Sequence, residues 1–348
     1  MRYFLIISCL ISVTLALSFT PTPYPPFRTP PPKFLLSEYG FFKGQLSDLQ
    51  PAESVFIYEV NAPLFTDYAE KSRFIYLPAG KKLGFEAEKA LTFPEGAAII
   101  KNFFYYHDAT QPAKGRRILE TRVLLKTADG WKALDYVWTE DQSDAQLEVG
   151  GATLPVAWKD AGGKKQTLDY LVPNQNQCKG CHAYDGAFTP IGVTLRQLNN
   201  HDDPAQNQLL QWQKAGRIEL PADFNPATAP RLADYRRHDA DLNARARAYL
   251  DGNCAHCHNA HGPASTSGMF LEASQSSPER IGVMKTPVAA GRGSGNRKFG
   301  IVPGAPNESI LVYRIESKDP GVQMPEIGRQ MVHKEGVELI KQWIREMK

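Results

Sequence analysis

Two short segments of the chain repeat the same spacing of two cysteines and a histidine. They are Cys178-Lys-Gly-Cys181-His182 and Cys254-Ala-His-Cys257-His258. In this spacing, two thiols can add across the two vinyl groups of one haem while the adjacent histidine reaches the iron from one face. The two copies therefore predict two covalently bound haem c groups. The attachment residues would be Cys178, Cys181, Cys254 and Cys257, and the proximal iron ligands would be His182 and His258.

Cysteine pairs of this kind also bind zinc or form redox-active disulfides. Compact four-cysteine zinc sites usually separate their pairs by about 15–20 residues, whereas Cys181 and Cys254 are 73 positions apart. Neither zinc nor a thioredoxin-like disulfide gives a reason for a histidine after both pairs. Haem attachment accounts for that histidine, and zinc and disulfides are kept as the alternatives.

The N-terminus is typical of an export signal. An apolar run from Phe4 to Leu17 follows the positive charge of Arg2, and small residues at 16–18 fit a cleavage site after Ser18. Cleavage would remove Cys9 and leave four cysteines, all in the two motifs, in a periplasmic or secreted protein. Two alternatives stay open: lipid attachment at Cys9, and an uncleaved anchor, although the run is shorter than the ~20 residues that span a bilayer.

The composition excludes several classes of partner. The net charge of +3 and the hydrophobic content of 42% are ordinary for a globular protein. This charge balance argues against binding to nucleic acid or to a membrane surface. We expect the mature chain to be soluble, with at most peripheral membrane contact, and its partner to be another redox protein.

Along the chain, the pattern changes from strand-like to helical. The signal peptide (1–18) is followed by a proline-rich linker (19–33) and a β-rich domain (34–170). A first haem-binding region (171–240) and a cytochrome c domain with the second haem (241–348) complete the chain. In the β-rich domain, runs of β-branched and aromatic residues predict strands at 54–60, 73–77, 97–106, 118–127 and 131–139.

Two helices are predicted around the second motif. Residues 241–251 form a helical pattern that leads into this motif, and apolar residues recur at helical spacing from Val337 to Met347. A small cytochrome c is expected to pack two such helices. The predicted fold class is therefore multidomain α+β, with a β-sandwich-like N-terminal domain followed by mainly α-helical cytochrome c haem domains.

The sixth ligand of each iron decides whether a haem only carries electrons or also binds a small molecule. A methionine opposite the histidine favours the reduced iron. Met324, which precedes Pro325 in a loop before the last helix, is predicted to cap the second haem. Met269 and Met331 are its competitors.

The first haem has no methionine between its motif and the next one. His201 is predicted as its sixth ligand, and His238 is the alternative within that interval. A ligand from elsewhere, such as Met269 or Met284, or an open site also stays in consideration.

A glycine-rich basic loop lies between Gly291 and Lys298. Arg292 and Arg297 in this loop are predicted to pair with haem propionates, since a guanidinium binds carboxylates well and glycine permits close backbone approach. A flexible exposed loop is the alternative interpretation.

The chain resembles a family of bacterial dihaem c-type cytochromes that are often encoded beside a parallel β-helix repeat protein. The resemblance covers most of the mature chain, and the C-terminal unit alone is similar to cytochrome c domains attached to exported bacterial oxidoreductases. In those domains the methionine of a Met-Pro loop caps the haem, which implies this role for Met324. The resemblance rests on Asn61-Ala-Pro-Leu-Phe-Thr-Asp67-Tyr68, Val172 to His182, Asn253 to Asn259, the Gly291 to Gly295 loop, and Met324-Pro325 before Gly328-Arg329.

The expected function is electron transfer between a redox partner and an acceptor through the two haems. The alternative is a peroxidase-like enzyme in which the first haem is an open reaction site, with Asp185 and His201 as the candidate acid–base groups. A third interpretation makes the β-rich domain a binding module, with the haems serving a bound dehydrogenase.

Overall fold

The largest assembly of regular structure is an antiparallel sheet of six strands, in the order β3-β4-β6-β7-β8-β9. The computed structural model describes residues 32–348. Its strands are β1 (Phe42–Lys43), β2 (Gln50–Pro51), β3 (Val55–Ile57), β4 (Glu70–Tyr76), β5 (Leu83–Gly84), β6 (Ala98–Tyr106), β7 (Arg116–Thr127), β8 (Gly130–Trp138), β9 (Ala145–Glu148), β10 (Ala152–Lys159), β11 (Lys165–Val172), β12 (Ala183–Tyr184), β13 (Ala187–Phe188) and β14 (Ile218–Glu219).

The helices are short and are joined by long loops. Within residues 32–348 the α-helices are α1 (Gln175–His182), α2 (Leu195–Leu198), α3 (Gln208–Lys214), α4 (Leu242–Leu250), α5 (Pro278–Ile281), α6 (Ile310–Glu316) and α7 (Lys334–Glu346). None of them is long and apolar enough to cross a membrane. The predicted signal peptide and all of the predicted linker except its last two residues lie outside the described residues.

The predicted fold class is wrong. A β-sandwich-like domain followed by mainly α-helical haem domains would place most of the haem-binding regions in helices. The structure is instead β-rich, with a six-stranded antiparallel sheet and only 24% helix. Glycine and proline recur between positions 282 and 306, and both residue types interrupt helices, so this stretch forms loops and short turns.

The two faces of the sheet pack against different parts of the chain. We call the face that carries Ile75, Ile99 and Leu124 the inner face. One end of this face packs against residues of the first haem-binding region, such as Leu198 and Trp212. Its other end packs against the β10–β11 hairpin, and the opposite face packs against residues 36–49. Polar side chains occupy the middle of the inner face, between these two packed ends.

The two helices expected around the second motif are present and in contact. Helix α4 runs into that motif, and α7 is the amphipathic helix at the C-terminus. Gly336 of α7 lies against the ring of Tyr249 in α4, so close that a Cβ on Gly336 would be only 2.4 Å from the ring. The absent side chain of Gly336 allows the helices to approach each other.

Candidate functional site

A large cavity lies between the inner face of the sheet and the segments that carry both motifs. Its volume is about 1320 Å³, which exceeds the roughly 300–1,000 Å³ of most small-molecule sites. The cavity brings together residues that are far apart in the sequence. Those from the predicted sites are Cys178, Cys181, His182, Cys254 and Met324.

The first motif forms the last turns of α1. Asn174 caps this helix by accepting a hydrogen bond from the Gln177 N–H. Because residues three and four apart share a helix face, Cys178, Cys181 and His182 point to the same side. The Cys178 thiol donates to Asp135 Oδ2 at 3.6 Å, and burial together with this carboxylate raises the pKa of Cys178 to about 12.

The ring of His182 is held in the orientation that a metal ligand needs. Its Nδ1 is 2.8 Å from the Thr189 carbonyl oxygen, and its ring stacks on Phe188. Because a carbonyl can only accept, Nδ1 carries the proton and Nε2 keeps its lone pair. Burial lowers the pKa of His182 to about 4, so the ring is neutral at physiological pH. Ligating histidines usually have such a partner on the second nitrogen.

The second motif repeats this arrangement with different partners. Helix α4 continues into a π-helical turn, Asp251–Ala255, that contains Cys254. His258 Nδ1 is 3.3 Å from the Met269 carbonyl oxygen, and burial lowers the pKa of His258. Its Nε2 therefore also keeps a lone pair. Cys254 lines the large cavity, whereas Cys257 and His258 do not.

The two motifs touch each other. The Cys257 sulfur is 3.9 Å from the Gly180 carbonyl oxygen, and the Cys181 and Cys257 sulfurs and a His256 ring nitrogen lie within 4.8 Å of one another. The Cys257 thiol and His256 lower the pKa of the Cys181 thiol. Nδ1 of His256 is buried and has no hydrogen-bond partner among the described residues. Sequence reasoning missed His256, because it treated the residue as a spacer inside the motif.

Met324 is the one candidate methionine that lines the cavity within the described residues. Its loop is fixed by Arg329, whose Nε and Nη2 donate to the Met324 carbonyl at 3.0 and 2.8 Å. The competitors lie elsewhere. The side chain of Met269 contacts Gly282, Met331 packs against the inner-face cluster around Phe103, and Met284 is half-exposed.

The histidines proposed for the first haem lie outside the cavity lining. His201 is in the loop after α2, where its Nδ1 accepts a hydrogen bond from the Asp203 N–H at 3.0 Å. His238 is exposed, 3.4 Å from Arg245. Another histidine, His333, does line the cavity and stacks on Phe65 with a centroid distance of 4.3 Å. No local signal in the sequence separates His333 from other histidines.

The two arginines predicted to bind propionates also lie away from the cavity lining. Arg292 is exposed and pairs with Asp319 at 2.9 Å. The Arg297 guanidinium donates to the Asn307 carbonyl at 2.6 Å and lies over the Tyr313 ring. The cavity takes basic side chains from the sheet instead, among them Arg73, Lys101 and Arg122.

One segment of the β-rich part reaches all of these regions. The Asn61 side chain donates to the carbonyl oxygens of Arg196 and Asn199 in the first haem-binding region. The Phe65 N–H donates to Asn253 Oδ1, beside the second motif, at 2.8 Å. The Asp67 carboxylate accepts the N–H groups of Gln330 and Met331, in the loop after Met324, at 2.8 and 2.6 Å. We call residues 61–67 the strap.

No protein-family model, curated protein or solved structure matches the chain. Whether the chain can hold haem c therefore depends on the side chains of the two motifs themselves. Each motif offers two thiols and a neutral histidine whose Nε2 lone pair is free, and four of these six groups border a cavity larger than an ordinary ligand site. All three donors of the first motif border the cavity and fit a haem c group there, whereas Cys254 is the one donor of the second motif that does.

Proposed function

We propose that the chain is an exported dihaem c-type cytochrome that passes electrons between a redox partner and an acceptor. The observation that carries this proposal is the meeting of the two motifs. One thiol of each motif, Cys181 and Cys257, lies within 4.8 Å of the other, and each motif histidine is held by a carbonyl through Nδ1. An internal electron relay requires both attachment sites in one place.

The chain's own residues would divide the work as follows. Cys178 and Cys181 would form the thioethers of the first haem, and Cys254 and Cys257 would form those of the second. His182 and His258 would bind iron through Nε2, and Met324 would supply the second protein ligand of the second haem. Haem iron, when bound, supplies one-electron transfer, and a methionine opposite a histidine raises its potential.

Several features would keep these ligands in place. Thr189 and Met269 fix the two histidine rings through their carbonyl oxygens, which also makes the imidazoles more basic ligands. Arg329 fixes the Met324 backbone. The strap ties the Met324 loop and the second motif to the β-rich part. The ligands are thus positioned by backbone contacts from several segments of the chain.

A zinc site is the second candidate, because one observation favours it. Cys181, Cys257 and His256 have the donor atoms of a two-cysteine, one-histidine zinc site with an open fourth position. The His256 side chain also hydrogen-bonds the Cys181 thiol, so one of its ring nitrogens lies at this site. Zinc and haem exclude each other here, because a thiol that forms a thioether no longer binds zinc as a thiolate.

Expression in a bacterium with haem-attachment machinery tests the two candidates. We expect the intact mass of the mature chain to increase by two haems and the pyridine haemochrome assay to give two haems per chain. Replacing Cys178 and Cys181 by Ala should remove one haem, and His256→Ala should keep both. A colourless protein with one zinc, lost in His256→Ala, would overturn the proposal.

The same protein tests carrier against enzyme. Electron paramagnetic resonance of the oxidised form, before and after adding cyanide or peroxide, reports whether each iron has two protein ligands. Two low-spin haems whose signals do not change when the ligand is added would support an electron carrier. A high-spin haem that shifts with ligand would mean an open iron and would support the peroxidase-like alternative.

A further inference from the structure

Three basic side chains form a row across the inner face of the sheet. Arg73 of β4 lies opposite Lys101 of β6, which lies opposite Arg122 of β7. Residues directly opposite each other in neighbouring strands point to the same face, and all three line the cavity. The next residue in the row is Asp135 of β8, which accepts the hydrogen bond from the Cys178 thiol. The row therefore leads from the first motif along the cavity wall.

Two of the three basic side chains in this row have no ion-pair partner among the described residues. Arg122 has carboxylate partners, since its Nε donates to Glu120 at 3.0 Å and lies 3.8 Å from Asp135. Among residues 32–348, neither Arg73 nor Lys101 has a carboxylate within the 4.0 Å of an ion pair. Lys101 instead lies 4.8 Å from the ring centre of Phe103.

Two neighbouring cations in a partly buried wall repel each other and lose hydration, which is unfavourable unless a counter-charge is present. Burial, followed by the neighbouring cations Arg73, Lys71 and Arg122, lowers the pKa of Lys101, and Glu120 offsets only part of this effect. A ligand with carboxylate groups would supply it, because arginine and lysine bind carboxylates through charge-assisted hydrogen bonds.

We propose that Arg73 and Lys101 bind the propionate carboxylates of the haem attached at Cys178 and Cys181. This inference rests on the proposed function. Neighbouring strands are about 4.8 Å apart, so Lys101, two strands from Asp135, lies about 10 Å along the wall from the attachment side. That separation is on the scale of a porphyrin ring, whose thioether and propionate substituents occupy different edges.

The assignment replaces the loop arginines as the propionate partners. Arg292 and Arg297 already have partners in Asp319 and in the Asn307 carbonyl, and neither lines the cavity. It also gives the β-rich part a direct role in cofactor binding. A free carboxylate ligand has the same chemistry as a propionate, and the experiment must separate these two sources.

The test compares Arg73→Gln and Lys101→Gln with a matched control in holoprotein that carries two haems. Lys132→Gln is the control. Lys132 is an exposed residue of β8 in the same sheet, and its replacement removes the same charge at a position outside the cavity lining. Lys101→Arg keeps the charge and serves as the conservative variant. The measurement is the midpoint potential of each haem between pH 5 and pH 9.

The expected result affects one haem. Loss of the Arg73 or Lys101 charge should raise the pKa of the propionate, which then stays protonated up to a higher pH. Once the unpaired propionate ionises, its negative charge stabilises the ferric iron. Arg73→Gln and Lys101→Gln should therefore lower the potential of one haem at high pH and approach the wild-type value at low pH. Lys132→Gln and Lys101→Arg should match the wild type throughout.

Other outcomes overturn the inference in distinguishable ways. Potentials that match the Lys132→Gln control at every pH would exclude propionate binding by this row while leaving the haems in place. If succinate shifts the wild-type spectrum but not that of the two Gln variants, the row binds a free carboxylate instead. A wild-type chain without haem would refute the proposed function first, before any potential is measured.

Discussion

The Cys257 sulfur lies 3.9 Å from the Gly180 carbonyl oxygen, so the second motif touches the middle of the first. Gly180 also faces the loop after Met324, since a Cβ at this position would be 3.5 Å from Ile327 Cδ1. Both motifs and the predicted methionine loop therefore meet at one point. In the proposed function, an electron would pass from one haem to the other across this contact.

The contact between α4 and α7 gives a test of stability. We expect Gly336→Ala to lower the free energy of unfolding by about 1–3 kcal/mol, because the added Cβ would overpack against the Tyr249 ring. Urea titration followed by circular dichroism measures the change. Gly180→Ala is the control, since this helical glycine has room for a Cβ. A stabilised Gly336→Ala variant would mean that helix propensity outweighs the clash.

His333 should make stability depend on pH. Its side chain is 12% exposed, and burial lowers its pKa from 6.5 to about 4. The unfolded chain therefore binds a proton at a higher pH than the folded chain. Stability contributed by neutral His333 is fully present above pH 6.5 and is lost as the pH falls towards 4, by about 3 kcal/mol in total.

His333→Phe tests this expectation, because phenylalanine keeps the stacking on Phe65 without titrating. Urea unfolding between pH 4 and pH 8 should show a flatter pH dependence for this variant than for the wild type. His107→Phe is the control, since His107 is exposed directly after the end of β6. Parallel curves for His333→Phe and wild type would show that His333 does not cause the acid destabilisation.

The sequence predicted the elements whose signals are local. The strands expected at 73–77, 97–106 and 131–139 overlap β4, β6 and β8, and the helices on either side of the second motif are present. Each of these elements follows from the periodicity of apolar residues over a short stretch of the chain. The attachment spacing is equally local, because it lies within a single helical turn.

The parts that the sequence did not predict depend on contacts between distant segments. His256 and His333 line the cavity although no local signal pointed to them, whereas the predicted ligand His201 lies outside the lining and its Nδ1 accepts from the Asp203 N–H. The row of Arg73 and Lys101 depends on strand register, which a single sequence does not specify. The fold-class prediction was wrong because it extended the two real helices to the whole haem-binding part.

The strap gives a test of how Met324 is positioned. Asp67→Gly keeps the left-handed backbone of this residue (φ 47°) but removes the acceptor of the Gln330 and Met331 N–H groups. We expect a loss of about 1–3 kcal/mol in unfolding free energy and a weaker methionine–iron signal. Asn296→Gly is the control, because Asn296 has a similar φ of 63° and is exposed outside the cavity lining.

The methionine–iron signal separates a role of Asp67 in positioning the Met324 loop from a general loss of protein stability. A folded Asp67→Gly protein with an unchanged methionine–iron signal would mean that the strap does not position the Met324 loop. An equal loss in Asn296→Gly would assign the effect to the glycine itself.

Met324→Ala tests the ligand of the second haem. We expect it to abolish the methionine-to-ferric-iron charge-transfer band and to lower the midpoint potential of one haem, because thioether ligation favours the reduced iron. Met284→Ala is the control, since Met284 is 50% exposed and lies outside the cavity lining. If Met324→Ala keeps the band while Met269→Ala or Met331→Ala loses it, the cap comes from that methionine. Loss of the cap should also leave an iron that binds cyanide, so ligand titration of Met324→Ala provides an independent readout of the same site.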